Sequence, residues 1–300
     1  MHEIHRLITV ASWEQRFLLG TMATLEKHPT ISRIDMFYYK DYTIWSHFNR
    51  ARVVDICKDK NILLTTHELS FDHPALNWRI LELVVNDNEQ EGHIIDITTM
   101  PRDTIWAIFY FLQERVVYAS YVYYKPETYN TDWLSRDPGR PRLAFRMSGI
   151  ASLGAPTLLL IATGFDVERT EQLINYFEPK KIILGMQQGN QFENIKLNLQ
   201  RHEQVLSTHN DVITLKVDSY SDDHGYSVYE SALRENSAGF NVVLSSLGPK
   251  PSSVALYRLA MLNPEMALVY APSNQFNQDY SHGLGEAFEG TLTFYKGGNI

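Results

Sequence analysis

The chain has 300 residues, of which 44% are apolar and 21% are charged, with no compositionally biased tract. This length and composition predict two globular domains of about 150 residues each and exclude a fibrous or disordered protein. The net charge of -8 argues against a protein that tracks long DNA or RNA, because such binding depends on basic surfaces.

The N-terminal residues 1–16 carry charges and lack the apolar core of a secretory signal. The longest apolar runs, such as Pro156–Ala162, have the length of a strand and not of a membrane helix. A single cysteine, Cys57, lies in a predicted helix and has no partner for an intramolecular disulfide. We therefore expect a cytoplasmic protein without membrane spans, in which Cys57 is a core thiol.

The first half alternates short apolar strands with helical patterns. Strands are predicted at 7–12, 34–39, 62–69, 93–98 and 116–124, and helices at 13–28, 47–58, 76–85 and 101–115. Continuously apolar strands separated by helices are typical of a parallel sheet that is covered on both faces. The first half is therefore predicted to be a doubly wound domain.

A segment rich in proline and glycine follows, and then the same pattern restarts. Strands are predicted at 157–164, 180–186, 211–217, 240–246 and 266–271, and helices at 166–177, 193–206, 226–236 and 252–262. The closing run 290–298 is predicted to be an edge strand, either parallel or antiparallel. We expect domain 1 at 1–135, a linker at 136–154 and domain 2 at 155–300.

Two motifs of the first half recur in the second. At an offset of 148, Ile94–Ala107 aligns with Val242–Ala255. Each copy reads strand, turn, proline, basic residue and helix. Further along, Tyr-x-Pro at 124–126 is followed by Tyr-Asn-x-Asp-Trp at 129–133, and in the second copy Tyr-x-Pro at 270–272 is followed by Phe-Asn-x-Asp-Tyr at 276–280.

A third, looser match joins 11–16 to 162–169, and each of these segments ends in an arginine. Three matches in the same order indicate duplication of one domain. The predicted fold is α/β, with two tandem Rossmann-like domains of mainly parallel strands related by an internal pseudo-two-fold duplication. A binding site on that axis, between the halves, is the corresponding expectation.

Ligands of parallel α/β sheets bind beyond the carboxyl ends of the strands, where helices begin. Two turns at this position combine hydroxyl groups, a proline and a base. The candidate ligand-binding residues are Thr98, Thr99 and Arg102 in the first copy, and Ser245, Ser246, Gly248, Lys250 and Ser252 in the second. Helix capping by proline and hydroxyl groups is the alternative, although it does not explain the bases.

Further candidates follow other strands. Gly164 and Arg169 come after the first strand of the second half, and Ser12, Trp13 and Arg16 occupy the matching place in the first. Asp166 is either part of this site or a helix cap. The loop 185–190 adds Gln187 and Gln188, which either read a base or sugar edge or belong to a plain glycine turn. It matches neither a dinucleotide fingerprint nor a Walker A sequence, so no nucleotide cofactor is predicted.

Two other groups allow two interpretations each. A cluster of arginines between the halves is either a solvated linker or an anion site: Arg136, Arg140, Arg142 and Arg146. Trp133 and Tyr280 are suited either to stacking on bases or to fixing their loops on the core.

We find no catalytic motif in the sequence. There is no G-x-S-x-G elbow and no zinc-ligand spacing. Asp222, Asp223 and His224 are adjacent in a predicted loop, but surface polarity explains them better than a metal does. Asp96 ends a strand where many Rossmann-like enzymes place a carboxylate, although its repeat partner is Leu244. Neither a metal nor a cofactor is predicted.

The segment 242–260, with its strand, hydroxyl groups, Gly-x-Lys-Pro and helix, resembles the ligand-binding turn of CRISPR-associated Rossmann fold (CARF) domains. The family often has a Thr-Gly-Gly-Thr-Lys-like sequence there, whereas this chain has Leu-Gly-Pro-Lys. The resemblance covers some twenty residues and, more loosely, the architecture of each half. It implies a sensor of nucleotide second messengers, in which Lys250 and Arg102 hold phosphate.

The leading interpretation is a noncatalytic sensor or regulatory subunit that binds a nucleotide-like or phosphate-bearing ligand, in prokaryotic antiviral defence if the resemblance holds. It would act through a protein partner or as a homo-oligomer. One alternative is an enzyme acting on a nucleotide or sugar-phosphate, with Asp96 or Asp166 as base. Another is an interaction subunit of a larger complex, with the aromatic stretch Tyr118–Tyr129 in its interface.

Overall fold

The computed structural model describes residues 3–87, 92–188 and 195–294, with the backbone alone for 195–199. The chain folds into two compact units. Unit 1 holds residues 1–128 together with 281–300, and unit 2 holds residues 129–280. The chain therefore leaves unit 1 for unit 2 and returns to unit 1 after Tyr280.

Unit 1 alternates strands and helices in the predicted order. Its elements are β1 (Arg6–Val10), α1 (Gln15–Lys27), β2 (Arg33–Tyr39), a 3-10 turn (Lys40–Tyr42), α2 (Thr43–Asp59), β3 (Leu63–Leu69), α3 (Pro74–Val85), β4 (His93–Asp96), α4 (Arg102–Gln113), β5 (Tyr118–Tyr124) and, at its boundary, β6 (Thr128–Tyr129). Helix α2 begins four residues before its predicted start at His47, in the run that follows the 3-10 turn.

Unit 2 repeats this alternation. Its elements are β7 (Ser135–Pro138), β8 (Arg142–Leu143), β9 (Thr157–Ala162), α5 (Glu168–Phe177), β10 (Lys181–Gln187), α6 (Ile195–Ser207), β11 (Val212–Val217), α7 (Tyr226–Asn236), β12 (Asn241–Ser246), α8 (Lys250–Leu262), β13 (Ala267–Tyr270) and β14 (Ser273–Phe276). The chain then returns to unit 1 with β15 (Ser281–His282) and β16 (Ala287–Thr293).

Each unit has one six-stranded sheet. The order in unit 1 is β3-β2-β1-β4-β5-β16, and the order in unit 2 is β11-β10-β9-β12-β13-β8. The first five strands of each sheet are parallel, and the sixth, β16 or β8, is antiparallel. This is the 3-2-1-4-5 order of a Rossmann sheet, with the strand order reversing at the first strand. The predicted fold class, α/β with two mainly parallel Rossmann-like sheets, is confirmed.

The registers of the two sheets match residue by residue. Thr9 of β1 pairs with Asp96 of β4, and Leu160 of β9 pairs with Leu244 of β12. Asp96 and Leu244 are the residues that the sequence repeat aligns at an offset of 148. The loose match of 11–16 with 162–169 starts at Ala11 and Ala162, two positions after Thr9 and Leu160. The sheet pairing thus supports the match of 94–107 with 242–255 and the match of 11–16 with 162–169, whereas the pseudo-two-fold relation of the halves stays a prediction.

The antiparallel strand that closes each sheet comes from the chain segment that follows the other repeat copy. Strand β8, which follows the first copy, pairs with β13 in unit 2, and β16, which follows the second copy, pairs with β5 in unit 1. The edge strand predicted near 290–298 is present as β16 and is antiparallel, but it belongs to the sheet of the first half. The units therefore differ from the predicted domains 1–135 and 155–300, and the predicted linker 136–154 contains β8.

The aromatic stretch Tyr118–Tyr129, which one alternative placed in an interface, is mostly a covered strand. Tyr121, Tyr123 and Tyr124 of β5 are all buried. Tyr121 packs against Phe109 of α4, and the ring of Tyr124 lies against Gly20 of α1. No described helix is long and apolar enough to cross a membrane.

Candidate functional site

The carboxyl ends of the parallel strands define one edge in each unit, and the predicted site residues lie at these edges. The switch point, where neighbouring strands are followed by loops that run in opposite directions, lies between β1 and β4 in unit 1 and between β9 and β12 in unit 2. The helices α1, α4, α5 and α8 begin just after these four strands.

The hydroxyl groups of the unit 2 turn point into the protein. Ser245, Ser246, Ser252 and Ser253 are buried. Ser245 donates to the Val269 carbonyl at 3.0 Å, and the Ser246 and Ser252 hydroxyls lie 2.8 Å apart. Ser252 and Ser253 donate to carbonyl groups of their own turn. In this arrangement the serines hold the turn and the start of α8, although none of them forms a side-chain cap hydrogen bond to this helix.

The loops after β9 and β12 pack against each other at the switch point of unit 2. The Leu247 and Gly248 amides both donate to the Ala162 carbonyl, at 2.8 and 3.0 Å. A Cβ atom on Gly164 would lie 2.2 Å from the Leu247 oxygen, and one on Gly248 would lie 2.6 Å from the Thr163 oxygen. Gly164 and Gly248 are thus required for close packing of these two loops.

Gly164→Ala should destabilise unit 2 by about 1–3 kcal/mol, since its methyl group meets backbone that cannot rotate away. The measurement is urea unfolding at neutral pH. Gly154→Ala is the control, because a Cβ there meets no atom within 4 Å and only the backbone angle is unfavourable. Equal losses in the two variants would contradict the packing role of Gly164.

Gln187 ends β10 and contacts its neighbours in unit 2. Its amide nitrogen lies 3.4 Å from the Gly185 carbonyl and 3.5 Å from the Tyr229 hydroxyl, and its oxygen accepts from Ser219. The Gln187 side chain also lies against Gly248. Gln188 is exposed beside it. The structure therefore brings Gly164, Gly248 and Gln187 together at one edge, whereas Gly189 and Asn190 of the same predicted loop lie outside the described residues.

Arg16 and Arg169 are structural equivalents, as the loose sequence match predicts. Arg16 donates to the Tyr124 carbonyl at the end of β5, and Arg169 lies 3.4 Å from the Ala271 carbonyl just after β13. Both arginines are buried. Arg169 is therefore not presented at the surface of the edge, in contrast to the prediction that it lines a ligand site.

An acidic residue beside each of these arginines binds a serine. Ser135 donates its hydroxyl to Asp166 at 2.7 Å, and its amide to the same carboxylate at 2.8 Å. In unit 1 the Ser281 hydroxyl donates to Glu14, which also pairs with Arg16 at 2.6 Å. These contacts hold β7 in unit 2 and β15 in unit 1. Asp166 therefore secures the chain entering unit 2 and does not cap α5.

In the unit 1 turn, the threonine hydroxyls also form hydrogen bonds within the protein. Thr98 is buried, and its hydroxyl accepts from the Tyr124 amide at 2.9 Å. Thr99 donates its hydroxyl to the Val10 carbonyl at 2.8 Å. Arg102 and Lys250 are the first residues of α4 and α8, and both are half-buried. The two bases therefore stand at matching positions of the two edges.

Asp96 lies at the switch point of unit 1 and is almost completely buried. Burial raises the pKa of its carboxyl group to about 6, although a hydrogen bond from Thr98 and the charge of Arg16 act in the opposite direction. Such a shift is typical of functional groups but also occurs in structural networks. With 1% of its surface exposed, Asp96 does not contact a ligand at the surface.

An aromatic cluster covers the edge beyond β1, β2 and β3 in unit 1. It consists of Trp13, Tyr39, Tyr42, Trp45 and Phe71. The ring centroid of Trp13 lies 5.0 Å from that of Tyr42 and 5.2 Å from that of Trp45. The rings of Tyr39 and Phe71 stack 4.0 Å apart. Sequence analysis identified only Trp13, because the other members come from two other segments, 39–45 and the loop after β3.

The same edge exposes large apolar side chains of α2. Ile44 is 88% exposed, Phe48 68% and Trp45 38%. Positions 44, 45 and 48 share one face of a helix. On the inner side of α2, Asn49 donates to the Ser12 carbonyl at 2.9 Å and so fixes the loop that carries Trp13. Unit 1 therefore presents an aromatic and apolar edge on a rigid support.

The remaining candidates have structural partners in unit 2. Arg136 lies 4.4 Å over the ring of Trp133, and Arg142 lies 5.0 Å over the ring of Tyr270. These arginines are thus stacked on aromatic rings. Tyr280 packs edge-on against Tyr129, which fits the role of fixing a loop.

The acidic loop before α7 is a helix cap. The Asp223 carboxylate accepts from the Gly225 and Ser227 amides, both at 2.9 Å. Although burial opposes it, these hydrogen bonds lower the pKa of Asp223 to about 2. Within the described residues no group of histidines, cysteines and carboxylates has the arrangement of a metal site.

Comparisons with known proteins give matches to solved structures. No family model and no curated protein matches the chain. One similar solved structure is the cytoplasmic domain of a prokaryotic cation chloride cotransporter, with 8% identity and a TM-score of 0.29 over 92% of this chain and 98% of that one. Another is a putative universal stress protein from Pseudomonas aeruginosa UCBPP-PA14, with 12% identity and a TM-score of 0.27 over 89% and 92%. Similarity at this level carries no functional information, and neither structure is a CRISPR-associated Rossmann fold domain.

Proposed function

We propose that the chain is a noncatalytic sensor or regulatory subunit that binds a nucleotide-like ligand at the carboxyl edge of the unit 1 sheet. The observation that carries the proposal is the aromatic cluster of Trp13, Tyr42, Trp45 and Phe71 at this edge. Aromatic side chains stack on nucleobases. Sheets with this strand order bind their ligands at the same edge.

Arg102 is a suitable partner in unit 1 for a phosphate group of the same ligand. Arg102 begins α4, next to the switch point, where the positive end of the helix dipole favours an anion. Arginine binds phosphate through paired N–H groups. In the proposed complex the base stacks on the aromatic cluster and the phosphate contacts Arg102.

We propose a noncatalytic role because the candidate catalytic side chains are hydrogen-bonded within the protein or buried. Asp166 is held by Ser135, and Asp96 is enclosed by the core. Cys57 is buried, and burial raises the pKa of its thiol to about 11, so that it is not nucleophilic at neutral pH. The enzyme alternative needs one of these groups to reach a substrate. The placement of a site between the halves and the link to antiviral defence stay predictions.

Trp45→Ala should weaken binding of the best nucleotide by about fivefold to a hundredfold, because one base stack is worth about 1–3 kcal/mol. The measurement is isothermal titration calorimetry with ATP, cyclic di-AMP and a cyclic tetra-adenylate. Leu83→Ala is the control, since Leu83 is 74% exposed on α3, outside the cluster. Equal affinity of the Trp45→Ala and Leu83→Ala proteins, or no binding by the unmodified protein, would contradict the proposal.

A second candidate function is that of an interaction subunit. Ile44 and Phe48 favour it, because exposed apolar side chains of this size on one helix face are typical of protein interfaces. The double variant Ile44→Ala/Phe48→Ala separates the two. Loss of a co-purifying chain with nucleotide affinity unchanged would support the interaction subunit and contradict the sensor.

A further inference from the structure

The unit 1 sheet ends in a strand whose outer side is open. Strand β3 is the last strand next to β2, and no described strand lies beyond it. The Leu63 amide donates to the carbonyl of Ser32, just before β2, at 2.9 Å. Because backbone groups alternate between the two sides of a strand, Leu64, Thr66 and Glu68 direct their amide and carbonyl groups away from β2. Three residues of β3 therefore offer main-chain hydrogen bonds to a further strand.

Exposed apolar side chains accompany this open edge. Leu63 of β3 is 62% exposed, and Leu83 of α3 is 74% exposed. Both side chains line one groove, of about 720 Å³, on the α3 side of β3. Leu76, two turns before Leu83 on the same helix, is 52% exposed. Apolar side chains that adjoin one another at a surface mark an interaction site. The edge thus has both the free main chain and the apolar border of an interface.

Unit 2 has an edge strand at the same place. Strand β11 is the last strand of its sheet, next to β10. Met36 of β2 pairs with Thr66 of β3, and Leu184 of β10 pairs with Thr214 of β11. Both pairs are separated by 148 residues, the offset that also relates the turns of the two repeat copies. Strands β3 and β11 are therefore structural equivalents, residue by residue.

The two edges differ in the residues that prevent pairing with another chain. At the offset of 148, the counterpart of Leu63 is Asp211, and the counterpart of Glu68 is Lys216. Asp211 and Lys216 are both exposed. Exposed charges on an edge strand, lysine above all, hinder pairing with a further strand. Strand β3 contains neither lysine nor proline, and its exposed Leu63 stands where unit 2 has a carboxylate. An unprotected edge is therefore not a requirement of the fold.

The charges around β3 favour a second copy of the same strand as its partner. Lys58, Asp59 and Lys60, with a net charge of +1, precede the strand, and Glu68 and Asp72 end and follow it. All five side chains are on exposed residues. In an antiparallel pair related by a two-fold axis, the amino end of each strand lies beside the carboxyl end of the other. The lysines of each copy then face the acidic residues of its partner, whereas a parallel pair would put like charges together.

We propose that β3 is the contact strand of a homodimer, in which two unit 1 sheets join edge to edge. The two copies of β3 run antiparallel about a two-fold axis near Thr66, and their outward amide and carbonyl groups exchange hydrogen bonds. Leu63 and Leu83 of each copy pack against the other copy. Because the contact uses the same edge of both chains, it closes at the dimer. This interface goes beyond the proposed ligand site and does not depend on it.

Sedimentation velocity of the full chain over a wide range of concentration tests the proposal. The unmodified protein should pass from the 34.6 kDa chain to twice that mass as the concentration rises. Thr66→Pro removes an outward amide that β2 does not use, and it should weaken self-association by about tenfold to a hundredfold, since the change occurs twice in a two-fold interface. Leu63→Asp, which installs the unit 2 residue, should weaken it at least as much. Thr214→Pro, at the equivalent position of β11, is the matched control and should self-associate like the unmodified protein.

Exchange of charges tests the antiparallel orientation. Lys60→Glu should weaken self-association several-fold at low salt, because it places a carboxylate beside the acidic end of the partner strand. Asp72→Lys added to the same chain should restore the association, since both ends of the interface then again carry opposite charges. Failure of the double variant to recover would exclude the antiparallel pair.

A chain that stays monomeric at every concentration would overturn the proposal, even if another protein bound at β3. A dimer that Thr66→Pro and Leu63→Asp leave unchanged would do the same. Circular dichroism establishes whether these variants fold. If they do not, hydrogen exchange of the unmodified chain replaces them: the outward amides of 62–69 should exchange more slowly as the concentration rises, and exchange that is independent of concentration would contradict the proposed interface.

Discussion

Deletion of residues 281–300 should unfold unit 1 and leave unit 2 folded. The deletion removes β16, which pairs with all seven residues of β5, from Tyr118 to Tyr124. It also removes Leu292 and Phe294, each 3% exposed, and the Ser281 hydroxyl that Arg16 and Glu14 hold. Burial of two such side chains contributes about 3–6 kcal/mol. That is comparable with the whole stability of a domain of this size.

Differential scanning calorimetry is the measurement for this deletion. Two compact units with separate cores should give two transitions in the full chain, and one of them should disappear in the shortened chain. Leu292→Ala is a milder version, with an expected loss of about 2–5 kcal/mol in the same transition. Leu262→Ala, at a 37% exposed position of unit 2, is its control. If the unfolding transition of unit 1 were unchanged after the deletion, β16 would not be needed for the stability of unit 1.

The sequence predicts helices α1–α8 and strands β1–β5, β9–β13 and β16, because these elements follow local patterns of apolar residues. It misses the short strands β6, β7, β8, β14 and β15. It does not predict which sheet β16 joins. Its alternating residues suit any open edge of a parallel sheet, and it directly follows the second copy along the chain. The choice depends on long-range contacts such as those of Ser281 with Glu14, 267 residues apart, which no local pattern records.

The sequence likewise locates the candidate site turns but not the side-chain contacts that form only in the folded protein. The hydroxyl-rich turns are at the predicted edges, but the sequence does not reveal that the Ser245 and Ser246 hydroxyls are buried and hydrogen-bonded inside the protein. It also misses the aromatic cluster, since Trp13, Tyr42 and Phe71 converge only when three loops meet at one edge. One signal was available: Ile44, Trp45 and Phe48 are apolar residues on the helix face that turns away from buried Ser46 and Asn49.

Asp35→Ala should destabilise unit 1 by about 3–5 kcal/mol. Asp35 is fully buried on β2 and accepts from Arg6 at 2.7 Å, from Arg33 at 2.8 Å and lies 2.9 Å from His67. Without it, the buried Arg6 guanidinium keeps two carbonyl partners, of Val84 and Asp87, but loses its countercharge. Removal of one member of a buried ion pair costs this much because the other charge stays enclosed.

The pH dependence of stability provides an independent measurement of the same carboxylate. Burial opposes ionisation, but His67, Arg33 and Arg6 together lower the pKa of Asp35 to about 2, against 3.8 for the unperturbed group. Because the folded pKa is the lower one, this contribution, roughly 2 kcal/mol, is complete above about pH 4 and is lost as the pH falls through 2. Asp96 acts in the opposite direction: burial raises its pKa from 3.8 to about 6, so unit 1 becomes less stable as the pH rises from about 4 to about 6.

Urea unfolding of unit 1 between pH 2 and pH 7 distinguishes these two carboxylates. Asp35→Ala should remove the loss on the acid side, whereas Asp96→Leu should remove the decline on the neutral side. Asp87→Ala is the matched control for Asp35, because Asp87 also pairs with Arg33 but is 55% exposed. A solvent-exposed pair of this kind contributes below about 1 kcal/mol. If Asp87→Ala cost as much as Asp35→Ala, enclosure of Arg6 would not be what makes Asp35 essential.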